Sequence, residues 1–257
     1  MRTTGYVPPL DKDTLGMACK YSIMAYEDAI LDAVKIESKW TSTTVYFIKG
    51  ANSKPDILAF RGTAQGLDWV TDALVVPVPY AGRLCHGGFT AAHASVWGKI
   101  KKHIRMDRPL LICGHSLGGA LAELSAAKLH KKHKRLSLCT FGKPNTFFKG
   151  FKRPMKLMRQ VSCVSGSDIV ARIPRFCYGP SVSQTILYFA NDGKDHVNPS
   201  AELKRDDFMT AKKDAISDHF MEGYQSRLTT YLSPPPSATI SKREKRRNRR
   251  NRGKKND

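Results

Sequence analysis

The sequence predicts an α/β fold in which helices cover both faces of a mostly parallel central sheet. The 257 residues suffice for one sizeable domain, because a chain of this size removes roughly 70–75% of its unfolded surface from water when it folds. Strand-like and helix-like stretches alternate along the chain, as they do in parallel sheets. A composition of 41% hydrophobic and 25% charged residues is typical of a globular protein and excludes global disorder.

The predicted elements follow one another in a regular order. Residues 11–32 have the periodicity of an amphipathic helix, with apolar side chains near one face at Leu15, Ala18, Cys19, Ile23, Tyr26 and Ile30. Two strand-like runs, 43–48 and 57–60, flank a segment with hairpin chemistry. The remaining predictions are a helix over 86–104, a strand over 109–113, a helix over 117–133, and strands over 136–141 and 160–164. The apolar run 74–80 has two interpretations, a flap or a buried strand.

Targeting and cofactor features are few. No stretch approaches the ~20 apolar residues of a membrane-spanning helix, and residues 1–9 have no apolar signal-peptide region. The expected compartment is therefore cytoplasmic by default. The cysteines form no C-x-x-C pair and no Cys/His cluster, so they predict neither a metal site nor a cofactor. Their even number would allow disulfides, but the lack of a signal-peptide region favours reduced thiols. The six are Cys19, Cys85, Cys113, Cys139, Cys163 and Cys177.

The net charge of +21 is unusual for a chain of this length. A proline-rich segment begins at Ser233, and residues 242–257 then carry ten Lys and Arg against two acids, a net +8 that leaves +13 for the rest. We therefore predict a folded domain over 1–232 and, over 233–257, a linker with a disordered basic tail. Basic clusters also occur at 99–102, 131–135 and 149–159. Each alone is explained by a solvated face, but together they favour an anionic partner, either a lipid surface or a nucleic acid.

The segment Leu110–Ala120 carries the strongest indication of chemistry. It reads L-L-I-C-G-H-S-L-G-G-A and places Ser116 between a buried-looking strand and an Ala/Leu-rich helix. This is the setting of a nucleophile elbow, whose sharp turn needs small residues at Gly114 and Gly118. The turn aims the backbone N–H of Leu117 toward a substrate carbonyl oxygen. The alternative is a glycine-rich strand-to-helix turn with an incidental serine.

A serine nucleophile needs a histidine base and an acid that orients the histidine. Asp168 follows the predicted strand over 160–164, at the end of the strand where sheet enzymes place their chemistry. The histidines beyond it are His196 and His219. The residues alone leave both open, and either could be an ordinary surface histidine.

These segments together resemble the class 3 lipases, a fungal-lipase-like family of the α/β-hydrolases. The resemblance runs in order from about residue 11 to residue 232 and implies the α/β-hydrolase fold. It selects His219 over His196 as the base, and it implies an oxyanion hole formed by Thr63 and Leu117. Asn145 stands where the family has arginine, and Ala171 where it has proline. The segments similar to family motifs are Phe60–Thr63, Asp68–Asp72, His86–Phe89, Gly114–Ala120, Thr140–Pro144, Asp168–Pro174 and His219–Tyr224.

The resemblance implies a serine carboxylic-ester hydrolase, similar to triacylglycerol lipases, with Ser116, Asp168 and His219 as its catalytic triad and a lipid ester as its substrate. Two alternatives stay open. A phospholipase A-type activity on anionic membranes would suit the positive charge, since each basic residue near such a surface contributes ~1 kcal/mol. A hydrolase fold without activity could instead bind nucleic acid or membrane through the basic tail.

Overall fold

The computed structural model describes residues 10–63, 76–149, 155, 158–174, 178–179, 185–210 and 216–233. The helices are α1 (Lys12–Glu27), α2 (Gly87–Ile100), α3 (Leu117–Leu129), α4 (Ala201–Thr210) and α5 (Met221–Leu232), with 3₁₀ turns at Val170–Arg172 and Ser217–His219. The strands are β1 (Val34–Ser38), β2 (Thr43–Ile48), β3 (Asp56–Phe60), β4 (Pro77–Tyr80), β5 (Arg83–His86), β6 (Leu110–His115), β7 (Leu136–Phe141), β8 (Phe147–Phe148), β9 (Arg159–Ser165), β10 (Tyr178–Gly179), β11 (Thr185–Phe189) and β12 (Asp195–Val197).

An eight-stranded sheet forms the centre, in the order β1-β2-β3-β6-β7-β9-β11-β12. The pairs from β3 through β6, β7 and β9 to β11 are parallel, whereas β1, β2 and β12 pair antiparallel at the two sides. The predicted mostly parallel sheet is therefore confirmed. Each of the five predicted strands coincides with an observed strand within one or two residues.

Helices pack on both faces of this sheet, as predicted. Alternate residues of β6 point to opposite faces, so that Leu110 and Ile112 pack with α2 and α3 whereas Leu111 and Cys113 pack with α1 and α5. The near-continuous burial of β6 follows from this double coverage. Among the described residues, no helix has the length and apolar character needed to cross a membrane.

Several details differ from the sequence prediction. The first helix ends at Glu27 rather than at residue 32, because Asp28 adopts a left-handed conformation with φ +53° and caps the helix. Within 74–80, Pro77–Tyr80 forms neither a flap nor a buried strand but the half-buried β4 of a small sheet ordered β10-β8-β5-β4, and residues 74 and 75 lie outside the described residues. The prediction had no counterpart for six strands and two helices, namely β1, β5, β8, β10, β11, β12, α4 and α5.

Several predictions concern residues that the structure does not describe. The segment Asp68–Asp72, Cys177 and residues 234–257 belong to this group. The predicted linker and basic tail therefore stay predictions, although α5 ends at Leu232, next to the proposed boundary. The five described cysteines are buried and free.

Candidate active site

The parallel strands end at one edge of the sheet, and the three predicted triad residues meet there. Ser116 follows β6 directly, and Asp168 lies three residues after β9. His219 ends the short 3₁₀ turn that precedes α5. All three are almost completely buried, with exposed fractions of 3%, 0% and 5%.

Ser116 lies in a sharp strand-to-helix turn with φ +56° and ψ −130°. Its N–H donates to the Phe141 carbonyl at 2.9 Å, and its own carbonyl accepts from the Gly119 N–H at 2.9 Å. A Cβ on Gly114 would lie 2.5 Å from the backbone of Gly118, and one on Gly118 would overlap the Phe60 carbonyl oxygen. The turn therefore requires both glycines, as the sequence indicates.

A chain of hydrogen bonds connects the three side chains. His219 Nδ1 lies 3.0 Å and 2.9 Å from the two carboxylate oxygens of Asp168, and His219 Nε2 lies 2.8 Å from Ser116 Oγ. Because a carboxylate only accepts, Nδ1 carries the proton. Nε2 then presents its lone pair to the serine hydroxyl, which is the arrangement that a general base needs.

His196 takes no part in this arrangement. It lies in β12, at the far side of the central sheet, opposite Tyr188 of β11. Three strands, β7, β9 and β11, separate β12 from β6, the strand that leads to Ser116. The structure thus brings His219 to Ser116 and leaves His196 apart.

Asp168 is held by further donors. The Tyr224 hydroxyl donates to Oδ2 at 2.6 Å, and the N–H groups of Val170 and Ala171 donate to Oδ1 at 2.8 Å and 3.3 Å. Burial raises the pKa of Tyr224 well above its ordinary value, and the nearby Asp168 charge adds to this effect. The hydroxyl therefore stays protonated and available to the carboxylate, whose burial requires such partners.

Gly142 shows why this site needs a glycine in the segment Thr140–Pro144. Its φ is +53°, and a Cβ there would lie 2.6 Å from Asp168 Oδ2 and 3.1 Å from His219 Nδ1. Any other residue would therefore strain the backbone and press against the hydrogen bond between the acid and the base.

The two residues predicted for the oxyanion hole follow neighbouring strands of the central sheet. Leu117 is the first residue of α3, so its N–H is one of the helix-start donors that lack an intrahelical partner. Thr63 is half-buried and follows β3, which pairs directly with β6 through Phe60 and Gly114. Both therefore lie at the edge of the sheet where negative charge would develop.

A second histidine supports the loop that carries His219. His115 Nε2 donates to the His219 carbonyl oxygen at 2.6 Å, so its Nδ1 accepts from the Tyr26 hydroxyl at 2.8 Å. Burial, together with the nearby His219, lowers the pKa of His115 to about 3. The neutral ring thus bridges α1 and the loop of the base. The sequence placed Tyr26 only on the apolar face of a helix.

Asn145, which stands where the family pattern has arginine, forms hydrogen bonds to the segment after Asp168. Its amide donates to the Pro174 carbonyl at 3.1 Å, and its backbone N–H donates to the Ile173 carbonyl at 2.9 Å. Two residues earlier, Lys143 forms a buried ion pair with Glu123 of α3 at 3.0 Å. The segment after Gly142 is thus tied both to the Asp168 loop and to α3, the helix that follows Ser116.

The described residues contain no group of three or more His, Cys, Asp and Glu side chains that could hold a metal ion. The chemical groups at this edge are therefore a polarised serine, a base oriented by a buried acid, and backbone donors next to the serine.

Comparison with known proteins agrees with this arrangement. Residues 57–177, which include Thr63, Ser116 and Asp168, match the family described as lipase (class 3). The chain is 27% identical to a lipase of Rhizomucor miehei over an alignment that covers 57% of this chain and 46% of the relative. It is 29% identical to the secreted mono- and diacylglycerol lipase 1 of Fusarium solani, with 49% and 41% covered. The chain thus spans less than half the length of these relatives.

The fold is shared with solved lipases. The crystal structure of a lipase from Rhizopus microsporus var. chinensis superposes with a TM-score of 0.60 at 20% identity, covering 78% of this chain and 85% of that one. At such low identity the similarity shows the α/β-hydrolase fold. The class 3 lipase match covers residues 57–177, and over that part the chain resembles this family.

Proposed function

We propose that this chain is a serine hydrolase that cleaves carboxylic esters of lipids. The observation that carries the proposal is the hydrogen-bond chain from Asp168 through His219 to Ser116 Oγ, which ends on a 2.8 Å contact between base and hydroxyl. The class 3 lipase match over residues 57–177 supports the choice of ester and substrate class.

The reaction starts when Ser116 Oγ attacks the ester carbonyl carbon while His219 Nε2 takes the hydroxyl proton. Asp168 keeps the imidazole in the required tautomer and stabilises its charged form. The negative oxygen of the tetrahedral intermediate accepts hydrogen bonds from Leu117 and Thr63, and losing one such donor typically lowers turnover by ~10²–10³. His219 then protonates the leaving alcohol, and Ser116 retains the acyl group.

Water completes the cycle. His219 takes a proton from a water molecule, which attacks the acyl-enzyme and releases the carboxylic acid as Ser116 regains its proton. The near-complete burial of Ser116 and His219 favours this mechanism, since donors in a water-excluded site act more strongly than in bulk water.

Phospholipids are the second candidate substrate class. The specific observation is the net charge of +21, which would attract the chain to anionic headgroups. The ester chemistry would be the same, and only the group around the scissile ester would differ.

The test is hydrolysis of p-nitrophenyl esters from acetate to palmitate by the wild type and Ser116→Ala. Loss of a nucleophile of this kind costs ~10⁶ in turnover in a well-studied serine hydrolase. Ser125→Ala is a matched control, because Ser125 also forms a buried Ser–His contact, 2.8 Å from His93 Nε2. We expect Ser125→Ala to stay active. Equal activity of the wild type and Ser116→Ala would refute the proposal.

The preferred substrate distinguishes the candidate functions. A preference for long acyl chains indicates a lipase, and a preference for acetate indicates a short-chain esterase. Release of fatty acid from phosphatidylglycerol vesicles, lost in Ser116→Ala, would identify a phospholipase. A folded wild type without activity on any of these esters would instead favour a binding protein on a hydrolase fold.

A further inference from the structure

The turn between β1 and β2 exposes an aromatic side chain without an evident structural role. This segment, Lys39–Ser42, is named the Trp40 turn here. Trp40 is 82% exposed, although tryptophan is highly buried on average. Its indole therefore contributes little to the core, and burying it against a partner would remove a large apolar surface from water.

The Trp40 turn lies at the same edge of the central sheet as Ser116. Strand β2 runs antiparallel to β3, with Val45 opposite Phe60, and the Arg61 N–H donates to the Thr44 carbonyl at 3.1 Å. The start of β2 therefore lies where β3 ends. Adjacent strands are about 4.8 Å apart, so the turn lies about 10–14 Å to the side of β6.

The turn is anchored to the body of the protein. Thr41 Oγ1 lies 2.7 Å from Ser95 Oγ of α2 and 2.9 Å from Thr43 Oγ1 of β2. These contacts hold the residue that follows Trp40, while the indole ring stays in solvent. The exposed tryptophan is thus presented by a supported turn.

Other exposed apolar side chains lie next to the triad. Ile216 and Phe220 flank His219 in the chain, and they are 56% and 57% exposed. Together with Trp40, they are exposed apolar side chains at the edge of the central sheet where Ser116 lies.

The charge of the Trp40 turn indicates which kind of partner it would bind. Lys39 is exposed next to Trp40, and the other residues of the turn are uncharged. The nearest acid along the chain, Glu37, already pairs with Lys35 at 3.1 Å. Tryptophan favours the headgroup region of a bilayer, and lysine is attracted to anionic headgroups.

We propose that Trp40 and Lys39 dock the chain on a bilayer that contains anionic phospholipids and hold the Ser116 edge against the lipid. The indole inserts among the headgroups while the Lys39 ammonium pairs with a lipid phosphate. This inference rests on the proposed function, because it names the surface by which the same site meets a lipid ester.

The experiment measures binding of the full chain to vesicles of phosphatidylcholine with phosphatidylglycerol. All variants carry Ser116→Ala, so that lipid is not consumed. We expect Trp40→Ala to weaken binding about 10-fold, as the loss of one buried aromatic implies. Leu31→Ala is the matched control, because Leu31 is 86% exposed but precedes β1, at the opposite edge. It should bind as the parent does.

Lys39→Gln tests the contribution of the Lys39 charge to vesicle binding. It should weaken binding about 5-fold on vesicles with phosphatidylglycerol and leave binding to pure phosphatidylcholine unchanged. Equal effects of Trp40→Ala and Leu31→Ala, or none from either, would overturn the proposal. A concentration-dependent dimer lost in Trp40→Ala, with vesicle binding intact, would overturn it in favour of a contact between two copies of the chain.

Failure of this inference can be told apart from failure of the proposed function. With Ser116 present, Trp40→Ala should hydrolyse p-nitrophenyl acetate at the wild-type rate, since Trp40 lies outside the site. If the chain hydrolyses esters but Trp40→Ala binds vesicles as tightly as its parent, the docking surface is refuted and the proposed function is not. Vesicle binding that depends on Trp40, without hydrolysis of any ester, would refute the enzyme and leave the docking surface standing.

Discussion

Asp168 is buried, and its carboxylate accepts hydrogen bonds from the His219 ring, from its own loop and from α5. Ala171 contributes one of these contacts through its backbone N–H, at 3.3 Å from Oδ1. The related motif has proline at this position, and proline has no N–H to donate. The difference between this chain and the family pattern thus adds a donor to the acid.

Replacing His219 and His196 by alanine, one at a time, tests which of the two is the base. His219→Ala should reduce ester turnover by about 10⁴-fold or more, because Ser116 loses its proton acceptor. His196→Ala should retain wild-type turnover, since His196 lies in β12. Steady-state kinetics on a soluble ester measures both. The opposite ranking would show that the base is wrongly assigned.

The sequence predicted the three triad residues but not the contacts that support them. The turn around Ser116 is local and needs glycines at fixed positions, so a motif reveals it. The choice of His219 over His196 came from the family resemblance. Tyr26 and His115 meet across 89 positions of the chain, and a tyrosine in an amphipathic helix has the pattern of an ordinary core residue.

At the scale of elements, α3 is tied to the segment after β7 by the buried pair of Glu123 and Lys143. Helix α3 begins directly after Ser116, and the segment after β7 contains Gly142, which packs against Asp168 and His219. The pair therefore joins the two elements that position the nucleophile and the acid–base contact. Breaking a buried pair is costly because the remaining charge stays without compensation.

Lys143→Met should lower the free energy of unfolding by about 3–5 kcal/mol. The double variant Glu123→Leu/Lys143→Met should recover most of that loss, because it removes the stranded carboxylate as well. Urea denaturation of the singles and the double measures the coupling. Lys194→Met serves as control, since its pair with Asp192 is exposed and its loss should leave stability unchanged. Equal destabilisation in the single and the double would contradict this account.

Edge strands were the elements that sequence patterns predicted least well. Strand β1 buries only Ile36, so its apolar periodicity is weak, and β12 has no buried residue. The central strands β3 and β6 are buried along their whole length and appear as continuous apolar runs. A strand that is buried on both faces has an apolar run that is easily recognised in the sequence. An edge strand that is buried on one side has no such run.

For the whole molecule, several buried histidines are kept neutral. Burial lowers the pKa of His93 to about 3, with a further decrease from Lys128, and His115 behaves similarly. The unfolded chain binds protons at these histidines below about pH 6.5, whereas the folded chain does not until about pH 3. Folding stability should therefore fall as the pH decreases from 6.5 toward 3.

The slope of stability against pH tests this expectation. Each histidine that stays neutral contributes at most about 1.4 kcal/mol per pH unit in that range. His93→Gln should flatten the dependence between pH 6 and 4, measured by urea denaturation, because the variant lacks the titrating group. An unchanged slope in His93→Gln would mean that His93 does not resist protonation.

The central claim is that His219, oriented by Asp168, makes Ser116 a nucleophile. The most direct measurement is the intact mass of the protein after treatment with a fluorophosphonate, which reacts with activated serines. The account predicts one adduct, located on Ser116 by peptide mapping, absent in Ser116→Ala and strongly slowed in His219→Ala. A folded protein that stays unlabelled, or whose label lies on another serine, would contradict it.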